Sequence, residues 1–220
     1  INAKDVTYLN INLSIFSENF AVENGGAIII DNSGLLFSTN YIQTITNTKL
    51  LHNSARNGGA LYFKDNKNIQ LDNNLIAFNN NNYQGEYFGG GLFIKDCENM
   101  SIDHNTIYGN GSGSDNLSEN NSYAGSIYFS GGELNIVNSI FWNNIADYYQ
   151  EWYQSGSSGG AIDATYTIIS SYYNTYCEEE CINDAPVFMD IDSYNFKLSP
   201  TSTGKAGSSD GTDMGYSNEL

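Results

Sequence analysis

The chain has 220 residues, 40% of them apolar, with 17 Tyr and 11 Phe but only two Pro. Twenty-five acidic against eight basic side chains give a formal charge of −17, which repels phosphate backbones and anionic lipids and argues against nucleic-acid and membrane-surface roles. No apolar run approaches the ~20 residues of a transmembrane helix, so membrane insertion is not expected of this segment.

In chain order, the opening VTYLNINLSIFSEN already alternates apolar and polar residues. It reads as the end of a coil that begins outside the chain, in a mature or excised piece of a longer exported protein. GGAIII then starts at Gly25, and its phrase recurs as GGALYFKDNKNIQLDNNLIAFNN from Gly58, GGGLFIKDCENMSIDHNTIYGNG from Gly89, AGSIYFSGGELNIVNSIFWNN from Ala124, and partially as GGAIDA from Gly159. The starts are 33, 31, 35 and 35 residues apart. Within each copy apolar residues alternate in short segments, such as Leu61/Phe63 then Ile69/Leu71, broken by Asp, Asn and Gly. Period two in segments this short means short strands and tight turns, with no sustained helical period.

Three short strands per copy cannot close a core alone, but stacked coils can. The expected fold is all-β, a right-handed parallel β-helix: a single-stranded solenoid of about six coils with three short strands each. A propeller is the rival, but hairpin turns and blade signatures are missing. Residues 1–165 form the coils. Residues 166–220, where the pattern loosens, form an irregular capping segment of the same domain that covers the exposed last coil. A monomer is expected.

A second landmark in each copy is an apolar residue followed three later by asparagine. It gives the column Asn19, Asn53, Asn79, Asn110 and Asn143, read as a structural ladder of stacked amides at tight turns. A column after the first strand holds Asn32, Asp65 and Asp96, with Lys64 and Lys95 one position before. Asp65 and Asp96 one rung apart offer oxygens to a calcium ion, weighed against a plain solvated turn; no cofactor is certain. Cys177 and Cys181 bracket three glutamates in YCEEEC and form the disulfide candidate of an oxidising compartment. Cys97 stands alone at a turn.

Between each asparagine and the next glycine lie insertions of 5, 4, 9, 13 and 15 residues. All fall at one corner, so the three long ones (80–88, 111–123 and 144–158) should project side by side as a binding face. Their ligand-binding candidates are Tyr83, Glu86, Tyr87, Tyr123, Tyr148, Tyr149, Glu151, Trp152 and Tyr153. Aromatic rings with carboxylates suit saccharides or a protein interface; the competing reading is local packing over the coil flank. Catalysis has thinner support. Asp103-His104 near Asp72 is a conceivable acid–base pair, and Lys64 with Lys95 the sole hint of a lyase base.

The tail DAPVFMD…FKLSPTSTGKAG…DGTDMGY resembles the closing segment of secreted bacterial right-handed β-helix proteins that carry a surface anchor. GGAI, GGAL and Phe16-Ser-Glu-Asn19 resemble the repeats of polymorphic outer-membrane adhesins; Leu50, Ile76, Ile107 and Ile140 replace the phenylalanine of that pattern. Neither resemblance carries a catalytic motif, so no catalytic residue is assigned. Together they imply a non-catalytic extracellular or cell-surface module, adhesin-like, whose partner is a polysaccharide or a host or neighbouring-cell surface protein. The alternative is a polysaccharide lyase or glycoside hydrolase of the pectate-lyase-like β-helix type.

Overall fold

A computed structural model describes residues 1–32, 42–81, 86–112, 122–155, 160–170 and 177–217. They form a parallel β-solenoid of about five turns without a helix. The first sheet stacks Asn2–Lys4, Ile28–Asp31, Leu61–Lys64, the opening residues of Leu92–Asp103 and Ile127–Val137, and then Trp152–Gln154. The second stacks Asn10–Asn12, Gln43–Thr46, Lys67–Asp72, the closing residues of the same two long strands, and Gly160–Thr165. The third runs Ile15–Ser17, Lys49–Leu51, Leu75–Ala77, Thr106–Tyr108, Ile140–Trp142 and Ile168–Ile169. Every pairing in the three sheets is parallel, as stacked coils require.

Alternation sends one set of side chains into the lumen. Ile28, Leu61, Leu92, Ile127 and Trp152 form one inward column, and Leu50, Ile76, Ile107 and Phe141 another, all essentially without solvent contact. Two inner ladders of amides line the corners. In the first, Asn79 Nδ2 donates to Asn110 Oδ1 and to Leu50 O, both at 2.9 Å, while Asn79 Oδ1 accepts from Asn53. The ladder runs Asn19, Asn53, Asn79, Asn110, and its fifth rung is Asn144.

Asn143, expected there, points out instead. The phrase Ile-Phe-Trp-Asn-Asn fits the landmark in two registers, and a one-residue slip exchanges inside for outside. The larger Phe141 takes the lumen, so Asn144 takes the ladder. Asn143 holds the left-handed turn before it (φ 58°), as Glu18, His52, Phe78 and Gly109 do on other rungs. The second ladder, not anticipated, links Thr48, Asn74, Asn105 and Ser139 at the opposite corner.

The GGAI phrase at Gly159 does not open a coil. Gly160–Thr165 pairs with Gly132–Val137 in the second sheet, whereas Trp152–Gln154 pairs with Ile127–Phe129 in the first. Tyr149-Gln-Glu-Trp-Tyr-Gln therefore repeats Ala124-Gly-Ser-Ile-Tyr-Phe, with Tyr149 in the left-handed conformation of Ala124 (φ 60° and 62°). Glycine is dispensable at Gln150 because nothing described stacks outside it. At Gly90, by contrast, a Cβ would strike the carbonyls of Gly111 and Gly125.

Among the described residues, Cys177–Ile182 extends the last rung, through pairings with Ala164–Thr165 and Ile168. The described residues from Phe188 to Ser217 run back along the third sheet. Its antiparallel pair, Phe188–Asp190 with Asn195–Leu198, contributes Phe196 to an outer core with Leu51, Leu75, Ala77 and Tyr216. A neighbouring cluster joins Ile140, Ile168, Leu198 and Met214. The tail reaches Asn73, whose side chain accepts from Ser217 N at 2.8 Å.

Candidate functional site

The bases of the 80–88 and 111–123 insertions share one corner with residues 145–148, but the third expected insertion does not stay there, because Trp152–Gln154 form a rung of the first sheet. The bases stack in parallel: Asn80–Asn81 on Gly111–Ser112 with Ile145 beyond, and Tyr87–Phe88 on Ser122–Tyr123 with Tyr148 beyond. Tyr83 lies outside the described residues. Of the other candidates, Tyr87, Glu151 and Trp152 are buried and cannot meet a ligand at the surface. Trp152 fills the lumen edge-on to Phe141, with ring centres 5.3 Å apart. Glu151 closes the first amide ladder, accepting from Asn144 Nδ2 at 2.6 Å. Burial pushes its carboxyl up to about 8, so it is a protonated interior group at neutral pH.

The remaining aromatics join a larger array that the loop reading missed, because half of it lies on strands. On the outer face of the first sheet, Tyr62, Phe93, Tyr128 and Tyr153 occupy successive rungs. Tyr62 and Phe93 stack with centres 4.9 Å apart and 5° between planes; Phe93 and Tyr128 repeat this at 4.9 Å and 6°. A second column beside it carries Phe88, Tyr123 and Tyr148, stacked at 5.5 and 5.2 Å. The columns touch where Phe88 meets Tyr128 edge-on at 4.7 Å and where Tyr149 packs on Tyr153 at 4.6 Å. Alternation was the available signal, since Tyr62, Phe93 and Tyr128 sit between inward-pointing neighbours.

Mutual stacking has a chemical consequence. Ring faces inside a column are spent on each other, so the surface offers edges and phenol hydroxyls rather than open faces. Among the described residues, Phe88, Phe93 and Tyr128 line a cavity of about 210 Å³, with Arg56, Asn57, Lys95 and Ser130 around it. Phe93, 8% exposed, lies beneath its neighbouring rings. Glu86, exposed at the edge of the second column, accepts from Arg56 Nε through its backbone carbonyl at 3.4 Å.

The other sequence candidates sit elsewhere. Asp65 and Asp96 hold left-handed turns (φ 52° and 51°); Asp65 pairs with Lys64 at 3.3 Å. Among the described residues no three His, Cys, Asp or Glu converge on a metal position. Cys177 and Cys181 are joined in a disulfide, and Cys97 is free, buried, and pushed up to about 12 by burial. Asp103 accepts from His104 Nδ1 at 2.9 Å, and His104 Nε2 meets Thr212 of the tail at 3.0 Å and Asp210 at 3.8 Å. Asp72, one rung away, is raised by burial and by Asp103. His104 is thereby engaged in holding the tail. Comparison with family profiles, curated proteins and solved structures finds no match.

Proposed function

We propose that this chain is a non-catalytic binding module of an exported, bacterial surface protein, and that its aromatic terrace binds a saccharide. The observation that carries the reading is the pair of adjoining ring columns with a cavity where Phe88 meets Phe93 and Tyr128. Such a surface costs little entropy to present, because strand backbone and mutual stacking already hold the rings. Four rungs about 4.8 Å apart and two columns about 10 Å across make roughly 200 Å². That falls well short of the ~800 Å² per partner of a stable protein interface, but suits a few sugar units. The Cys177–Cys181 disulfide supports an oxidising, extracellular setting.

The test is a glycan array probed with the wild-type chain and with Phe88→Ala and Tyr128→Ala, each shown by thermal melting to keep its fold. Binding to a saccharide class should fall at least tenfold in both variants. Equal binding by the variants would move the site elsewhere; capture of a protein partner with no glycan bound would replace the saccharide reading.

A further inference from the structure

Cations are scarce in this chain, eight against 25 acidic side chains, so where they gather carries information. The outward column beside the ring ladder reads Lys4, Asp31, Lys64, Lys95 and Ser130 from rung to rung. Arg56 and Lys95 both line the cavity whose walls are Phe88, Phe93 and Tyr128. Each is weakly engaged within the protein. Arg56 is 3.8 Å from Glu23, with both side chains well exposed, and Lys95 has no ion pair among the described residues. Lys64, its neighbour one rung away, pairs with the adjacent Asp65 at 3.3 Å, both side chains being well exposed. Exposed pairs of this kind are readily exchanged for another anion.

We infer that the cavity over Phe93 is a subsite for an anionic sugar unit, its ring against Phe88 and Tyr128 and its carboxylate or sulfate between Arg56 and Lys95. The inference rests on the saccharide reading of the terrace and adds the charge of the ligand. Arginine's planar fork matches a two-oxygen anion, while lysine adds a mobile point charge. Ser130 on the same wall is placed for a hydroxyl group. Lys64 stands where the charge of the next unit along the strand stack would fall. The net charge of −17 does not veto this, because at ~0.15 M salt charges beyond about 8 Å are largely screened and the cavity responds to its own rim.

Calorimetric titration of the full chain with three hexasaccharides of equal length separates the possibilities: a uronate, a sulfated and a neutral one. At least one anionic ligand should bind tenfold or more tighter than the neutral one. Lys95→Gln and Arg56→Gln should each reduce that preference about fivefold, and Lys197→Gln on the tail should leave it as in wild type. Which anion binds distinguishes carboxylate from sulfate. A neutral ligand bound as tightly as the charged ones, or a preference surviving both substitutions, overturns the inference and leaves the terrace reading in place. Binding of none of the three removes both.

Discussion

Glu151 sits where the amide ladder would need one more asparagine, and its carboxyl receives the last Nδ2 of that ladder. Burial raises this carboxyl from 4.5 to about 8. Below pH ~4.5 it is protonated folded and unfolded alike, so it contributes no pH dependence. Between pH ~4.5 and ~8 the unfolded chain releases a proton that the folded chain keeps, so stability falls as pH rises across that window. Glu151→Gln keeps an acceptor for Asn144 but cannot titrate. Its advantage over wild type should be absent near pH 4 and reach the order of 5 kcal/mol above pH 8, read from denaturant midpoints at each pH. An advantage independent of pH would contradict the burial argument. Gly90→Ala tests the corner. Its added carbon meets two backbone carbonyls, and neither can move without displacing a rung. A loss of about 3 kcal/mol is expected, a fall of roughly 6–12 °C in melting temperature.

At the scale of elements, the third sheet and the tail make a second core outside the lumen, and His104 ties its far end to Asp103 and to the 208–212 turn. The groups facing His104 are Asp103 and Asp72 from the strands and Asp210 from the tail, all acidic. Its hydrogen bond to Asp103 raises its pKa above the ordinary 6.5, against the effect of burial. A raised histidine stabilises fully below its unfolded pKa and stops doing so as pH climbs through the folded value. The tail should therefore be cut faster by limited proteolysis at pH 8.5 than at pH 6, and His104→Gln should cut equally fast at both. Little of this outer core was legible in advance. Leu75 and Ile140 look like lumen residues in any period-two reading, and nothing local in FKLSPTSTGKAG says which flank it will cover. The lumen itself was legible, because Leu61/Phe63 and Leu92/Ile94 repeat their spacing from rung to rung. The terrace was half legible. Tyr148 and Tyr149 are legible as corner residues, but GGAI at Gly159 resembles a coil start and so hides that Trp152 and Tyr153 belong to a strand. Strand register follows side-chain alternation, and a glycine pair is one means of turning a corner rather than its marker.

The whole molecule carries −17 charges on a regular rod, and like charges in register on neighbouring rungs repel. Raising salt from about 0.02 to 0.15 M shortens the screening length from roughly 20 to 8 Å, so the melting temperature should rise by a few degrees. A fall would mean that ion pairs such as Lys67–Glu98, at 2.6 Å, outweigh the repulsion. Stacked repeats gain stability only from their neighbours, so an unbraced array frays from its ends one unit at a time. Here a single returning segment is laced across the flank from Ile168 through Ile140 and Thr106 to Asn73. None of the rungs from His52 to Ile168 can peel away without first pulling that thread, so a stretch built to loosen piecemeal is bound into one cooperative body.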